Sequence, residues 1–303
     1  MSKPVEQRRV VVFGGSGFLG GHIADRLFNQ GYKVTVADIT PSHQASENHE
    51  FVQCDIMNAK QVHDIIRGAE YVYNVAAIAD IEESAANPVR TIEVNILGNT
   101  YVLEACRRYQ VKRFIFASSV YVSSHRGSFY RSTKQACEKI IENYQEQFGL
   151  PYTILRYGSL YGPRANDTNS LRRYVTQALR DGRISRTGDG EEIREYIHVL
   201  DAAECSVLAL KEEYRNQYLL ITGMQAMKVK DVLGMIREIT GRDIEIEYIP
   251  ALETSHYSRT PYSFRPESAH RLVMGKYYDL GQGIYDLLYE IQEELNQRAQ
   301  SGA

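Results

Sequence analysis

Tyr130 and Lys134 stand four residues apart, a spacing that on a helix puts both side chains on one face. An ammonium beside a phenol favours the phenolate, drawing its pKa below the usual ~10 and making tyrosine usable as a base near neutral pH. Just upstream, the apolar run Phe114-Ile115-Phe116-Ala117 ends in Ser118 and Ser119. At the carboxyl end of a parallel strand a hydroxyl faces the cleft in which open α/β sheets bind ligands, so a serine and Tyr130 can converge on one reacting oxygen. With 22 tyrosines in the chain, spacing alone proves nothing, and the weight falls on what surrounds it.

A second cluster supplies a cofactor. The first β-branched run leads into Phe13-Gly14-Gly15-Ser16-Gly17-Phe18-Leu19-Gly20, followed by a helical pattern with Ile23, Ala24 and Leu27. Glycines at 14, 17 and 20 allow a tight turn, close approach of backbone N–H groups to a pyrophosphate and close packing of helix on strand. Asp38 ends the second strand, eighteen residues past Gly20, where an acid can accept hydrogen bonds from the adenosine ribose and repel a 2′-phosphate. The next residues, Ile39-Thr40-Pro41, contain no Arg or Lys. The pattern points to NAD rather than NADP.

Elements that could position these groups alternate along the first 160 residues. Apolar runs at 10–13, 34–37, 51–54, 71–75, 114–117 and 152–155 read as buried parallel strands, and 92–109 and 130–148 read as helices. The expected fold class is α/β, a Rossmann-type doubly wound parallel sheet with a smaller α+β C-terminal lobe for the substrate. Residues 1–157, with a return of about 196–222, are assigned to the NAD-binding domain and 158–303 to the substrate-binding lobe. Within the lobe, 229–239 reads as a helix closed by Gly241, 244–249 as a strand, 285–295 as a terminal helix, and 297–303 as a frayed end.

Composition narrows the partners. The 303 residues are 43% hydrophobic and 24% charged, with a net charge of −3 and a pI near 6.3, giving no global electrostatic reason to bind nucleic acid or an anionic membrane. No apolar run reaches the roughly 18–20 residues of a membrane helix, and the first nine residues carry no apolar signal region. Cys54, Cys106, Cys137 and Cys205 are scattered without CxxC spacing. They suit small core residues in a reducing cytoplasm rather than a zinc site or disulfide framework, and no metal cluster is expected. The expected partner is a small molecule.

The chain resembles an extended short-chain dehydrogenase/reductase of the NAD-dependent nucleotide-sugar epimerase and dehydratase type, similar to UDP-glucose 4-epimerases. The stretches that carry the resemblance are 14–20, Asp38, Cys54-Asp55-Ile56, Asn74-Val75-Ala76-Ala77, Asn95 with Gly98 and Thr100, 114–119, 130–134, 155–163 and 194–201. It implies that Asp55 and Ile56 flank the adenine, that Ala76 and Ala77 line the diphosphate side, and that Lys134 also bonds the nicotinamide ribose. Phe18, Leu19, Ile39 and Tyr157 join the cofactor set, with Asn95 as a brace from a neighbouring helix or a buried packing amide. Ungapped alignment puts Ser119 at the catalytic hydroxyl position, with Ser118 as the fallback. Ser159, Arg194 and Arg265 are the implied substrate contacts, Arg194 on the diphosphate. The resemblance also implies a homodimer through a four-helix bundle made from 92–109 and 130–148, whose apolar faces could equally pack internally.

Charge supports a nucleoside diphosphate sugar as substrate. From Arg156 to Arg194 eight arginines face five acids, a local excess of +3, and guanidinium forks match diphosphate oxygens. Arg172, Arg173, Arg180 and Arg183 are read as solvated residues of a surface helix. Three departures bear on the pocket: only ten residues separate Ser119 from Tyr130, Ser159 replaces the usual Asn, and 266–280 lacks the usual Asp-containing pattern. Dehydratases of this type carry an Asp-Glu pair after the catalytic hydroxyl, where this chain has Val120 and Tyr121. The same gap disfavours a xylose-forming decarboxylase. The resulting expectation is a C4 epimerase working through a transient ketosugar. The alternatives are a nucleotide-sugar dehydrogenase or ketoreductase of the same fold and a non-catalytic NAD-sensing or scaffold protein.

Overall fold

Continuous apolar runs form strands that bury side chains on both faces, and here they build the centre of one parallel sheet. The computed structural model describes residues 8–42, 48–250 and 270–301. Its main sheet takes β1 (Arg9–Phe13), β2 (Lys33–Asp38), β3 (Glu50–Gln53), β4 (Tyr71–Asn74), β5 (Arg113–Ser119) and β6 (Tyr152–Tyr157). After β7 (Ser159–Tyr161), β8 (Arg183–Thr187) and β9 (Ile193–His198), the chain returns to that sheet with β10 (Gln217–Ile221). β11 (Ala226–Lys228), β12 (Glu245–Ile249) and β13 (His270–Arg271) follow. The order β13-β10-β6-β5-β4-β1-β2-β3 makes eight strands, all paired parallel. Strand order reverses between β1 and β4, which opens a crevice at their carboxyl ends.

Alternate residues of each strand enter different cores. Val10 and Val12 face α1 (Phe18–Asn29) and its neighbours, including Ile23, Leu27 and Cys205. Val11 and Phe13 face the opposite layer with Val62, Leu103, Cys106 and Ile141, which is why the strands read as unbroken apolar runs. That layer holds α2 (Ala59–Ile66), α3 (Ile81–Ala86), α4 (Pro88–Ile92), α5 (Asn99–Arg108) and α6 (Ser128–Phe148). The expected helix at 92–109 begins earlier, at Pro88, and is wound with wider π-type turns over Glu93–Gly98. Gly98 is needed within that segment, since a Cβ there would come 2.9 Å from Ile56 Cγ2.

Beyond the main sheet, β11, β9 and β7 form a three-stranded sheet and β12 pairs with β8. They surround a core that includes Tyr174, Val175, Ile184, Leu233, Ile236, Ile284 and Leu287. This core is shared by α7 (Ser170–Asp181), α9 (Val229–Thr240) and α10 (Leu280–Ser301), while α8 (Val199–Leu208) packs on α1. The terminal helix is longer than its periodicity predicts, and 297–301, read as frayed, is its last turn and a half. All four cysteines are buried and unpaired. Among the described residues no helix is long and apolar enough to cross a membrane.

Candidate active site

The glycine loop leaves β1 on a turn that only glycine tolerates at its first position. Gly14 has φ +75, and a Cβ there would lie 2.6 Å from the Ala76 backbone nitrogen. A Cβ on Gly20 would run into the Gly14 carbonyl oxygen, so both glycines let backbone pack on backbone. Gly14 N–H donates to the Ala37 carbonyl (2.9 Å) and Val75 N–H to the Phe13 carbonyl (2.9 Å), fixing the loop between its neighbouring strands. α1 follows with Gly17 as N-cap, no side-chain cap and no acid in its first turn. Its N-terminal dipole is therefore directed at whatever anion lies on the loop.

Asp38 closes β2 beside this loop. Its carboxylate accepts from Ser16 N–H (3.0 Å) and Ile39 N–H (2.8 Å), which holds it at the rim of a cavity of about 860 Å³. The walls include Gly14, Gly17, Phe18, Leu19 and Gly20, then Asp38, Ile39, Asp55, Ile56, Ala76 and Ala77. At the far end stand Ser118, Ser119, Tyr130, Lys134 and Tyr157. The elongated cavity fits a dinucleotide: an acid where a ribose needs an acceptor, a glycine cradle that side chains would fill, and titratable groups at the other end. Tyr157 contributes with its hydroxyl turned away, 2.6 Å from Ser206 Oγ.

Ser119 is the last residue of β5. Its Oγ accepts from Tyr121 N–H at 3.3 Å and lies near enough to the Tyr130 phenol to act on its pKa. The short 120–129 connection makes this meeting by a tight turn at Val120–Ser123 and by Gly127, φ +110, where a Cβ would lie 2.6 Å from the Tyr121 ring. Tyr121 then packs edge-on against Tyr130, centroids 6.3 Å apart. Lys134 is buried, donates from Nζ to the Ala117 carbonyl (2.6 Å), and has that nitrogen 5.8 Å from the Tyr130 ring centroid.

Burial raises the Tyr130 pKa above its ordinary value, and the Ser119 hydroxyl opposes the rise. Burial also lowers Lys134 to about 8, against the raising influence of Cys137 and Glu138. The expectation that Lys134 draws the phenol below its usual value is corrected: burial takes it the other way, and the ammonium is turned onto a backbone carbonyl rather than the phenol.

Other expected contacts fall elsewhere. The Ser118 hydroxyl donates to Glu138 Oε1 at 2.6 Å, so Ser119, not Ser118, has its oxygen beside Tyr130. Asn95 is a brace and does not line the cavity: its Oδ1 accepts from Ile78 N–H (2.8 Å), and its Nδ2 donates to the Ile78 carbonyl (3.1 Å) and Thr133 Oγ1 (3.0 Å). Ser159 is skipped by strand alternation, since Gly158 and Leu160 line the cavity and it does not. Arg194, buried on β9, is absent from the lining and donates to the Ile193 carbonyl (3.1 Å). Arg265 lies outside the described residues.

The arginine-rich stretch is largely neutralised from within. Arg156 pairs with Glu138, Arg164 with Asp25, Arg172 with Asp167 and Glu294, Arg180 with Asp181, Arg183 with Glu247, and Arg186 with Glu192. Arg172 is buried, and Arg183 belongs to β8 rather than a surface helix. The sequence reading missed Glu138, although 130, 134 and 138 share one helical spacing. It also missed the cavity-lining Asp80, Glu83, Arg90, Asn166 and Asn169, which sit on loops and short helices without a motif.

The family model described as "NAD dependent epimerase/dehydratase family" matches residues 10–220. The chain is 29% identical over 253 residues to a "Putative UDP-glucose 4-epimerase" of Methanocaldococcus jannaschii, covering 77% of this chain and 82% of that one. It is 26% identical over 271 residues to a "UDP-N-acetyl-alpha-D-glucosaminuronate decarboxylase" of Bacillus cytotoxicus, covering 80% and 84%. Among solved structures, the UDP-glucose 4-epimerase of Thermotoga maritima with UDP-glucose superposes with a TM-score of 0.81 at 26% identity, covering 95% and 99% of the two chains.

Proposed function

Because the chain belongs to the NAD dependent epimerase/dehydratase family, we propose that it is an NAD-dependent epimerase of a nucleoside diphosphate sugar, acting at C4. The observation that carries this reading is the Ser119–Tyr130 hydroxyl pair at the end of the cavity opposite Asp38. Gly14, Gly17, Gly20 and Asp38 would hold NAD, which accepts a hydride from the sugar and returns it. Tyr130 takes the proton of the sugar hydroxyl as the carbon loses its hydride, and Ser119 donates a hydrogen bond to the resulting carbonyl oxygen. When the ketosugar presents its other face, hydride returns and Tyr130 gives the proton back, leaving the epimer with no net oxidation. Lys134 holds positive charge near the phenolate. After Ser119 stand Val120 and Tyr121, neither able to supply a carboxylate for water elimination or decarboxylation.

The UDP-sugars of these relatives make a UDP-hexose the first to test. Incubation with UDP-, dTDP-, GDP- and CDP-sugars, followed at 340 nm and by NMR of the sugar, should yield a new C4 epimer without net NADH. Stoichiometric NADH with an oxidised sugar would replace the epimerase by a dehydrogenase. Binding of NAD with no hydride transfer on any sugar would favour a sensing role.

The same proposal includes a homodimer in the cytoplasm, where four buried, unpaired thiols are at home. The face of α4–α6 supports the assembly: Val89 is 69%, Ile92 45% and Leu97 40% exposed, with Phe129 and Phe148 exposed near the two ends of α6. Light scattering at micromolar concentration should give twice the 34.6 kDa chain mass. A monomer there would remove the dimer, and Val89→Glu should produce one from it.

A further inference from the structure

Tyr130, Lys134 and Glu138 recur at four-residue spacing on α6, so the helix face that presents the phenol and the ammonium carries a carboxylate one turn deeper. Glu138 is buried, and its two oxygens are taken by partners on two strands. Oε1 accepts from Ser118 Oγ (2.6 Å) and Arg156 Nε (3.0 Å), and Oε2 from Arg156 Nη2 (2.8 Å). Ser118 and Arg156 are register partners across β5 and β6. The next residues of those strands, Ser119 and Tyr157, both line the cavity. The Arg156 guanidinium also lies 4.6 Å from the Tyr218 ring centroid on β10.

A buried ion pair brings little net stability over apolar residues of the same volume, and its best-attested use is to fix register. We propose that Glu138 is a positioning residue for the reaction: its carboxylate pins the helix that carries Tyr130 and Lys134 to the strand ends that carry Ser119 and Tyr157. One residue thereby sets the separation of the hydroxyl pair and places a fixed negative charge a turn from the lysine ammonium. The inference rests on the reading of Ser119, Tyr130 and Lys134 as the reacting set. Titratable and charged groups facing this carboxylate are Lys134 and Cys137 of α6, Arg156 and Tyr152 of β6, and Tyr218 of β10.

Glu138→Gln keeps the volume but replaces one acceptor by a donor facing Arg156. On the substrate the wild-type enzyme turns over, kcat should fall about 10–100-fold with KM and NAD affinity unchanged. The break that Lys134 sets in the kcat profile should move to lower pH, because removing a carboxylate lowers a neighbouring ammonium's pKa. Ser118→Ala removes one arm without unpairing a charge, guarding against a Glu138 variant that fails to fold, and should cost kcat roughly fivefold. An unchanged kcat in both variants, or a loss that tracks only the melting temperature, would overturn the role. NMR titration of the Lys134 ammonium, assigned with Lys134→Met, reads the same inference without turnover. A lowered pKa in Glu138→Gln supports it and an unmoved one refutes it, whereas inactivity of the wild type on every sugar refutes the function and not the positioning.

Discussion

Tyr130→Phe should lower turnover by about 10²–10⁴-fold, the range for loss of a positioned general base, while NAD stays bound with undiminished affinity. The ring remains to fill its place against Tyr121, and only the hydroxyl beside Ser119 is lost. Isothermal titration with NAD beside steady-state turnover separates the two effects. Retained turnover would remove Tyr130 from the chemistry, and loss of NAD binding would recast it as a cofactor contact.

In the unaltered enzyme Lys134 carries its proton below about 8 and loses it above, and burial raises the Tyr130 pKa above its ordinary value. A reaction that needs the phenolate beside the ammonium therefore draws on a minor form: its rate should rise up to about pH 8, hold level while the phenol gains what the lysine loses, and fall only above the phenol's raised value. In Tyr130→Phe only the lysine titrates, so the residual rate should fall through pH 8 where the wild type levels off. A Tyr130→Phe rate that is flat through pH 8 would show that the charge on Lys134 is not needed.

What the sequence revealed was local. The glycine cradle was readable because residues 14–20 form one strand-to-helix turn whose contacts involve its own backbone and the strands beside it. Tyr130 and Lys134 were readable because helical spacing puts them on one face. Ser119 was readable over Ser118 only by alignment with the family strand, because the residues alone do not say which strand face meets α6, where Glu138 takes the Ser118 hydroxyl. Arg172 read as a solvated surface residue because Glu294, which it meets beside Asp167, lies more than a hundred residues away in sequence. The direction of the Tyr130 shift was misread for a related reason: a four-residue spacing states proximity, whereas burial by distant strands and loops sets the dielectric. The start of α10 was hidden by Gly281 and Gly283. A Cβ on the latter would lie 2.6 Å from the Tyr161 hydroxyl oxygen, so packing, not helix propensity, chose the residue.

The cradle supports the second large prediction, Gly14→Ala. Two penalties meet at this residue, and other glycines in the chain separate them. Gly31 has φ +84 with nothing within 4 Å of an added Cβ, so Gly31→Ala should show only the conformational term, about 1–2 kcal/mol of stability, with NAD affinity intact. At Gly20 φ is ordinary but a Cβ would strike the Gly14 carbonyl oxygen, so Gly20→Ala isolates the steric term by forcing α1 away from the loop. Gly14→Ala combines φ +75 with contacts of 2.6 Å and 2.8 Å to the Ala76 backbone, which cannot swing aside as a flexible side chain would. The hydrogen bonds Gly14 N–H to Ala37 and Val75 N–H to Phe13 hold both walls of that contact. Relief therefore means opening the cradle by moving β1 from the segment after β4, on the surface that would receive the pyrophosphate. A loss of about 3 kcal/mol of binding corresponds to roughly 10²-fold weaker NAD, accompanied by a lower melting temperature than Gly31→Ala gives. Should Gly14→Ala bind NAD as the wild type does while Gly31→Ala melts at the same temperature, close backbone approach would not be what the first glycine provides.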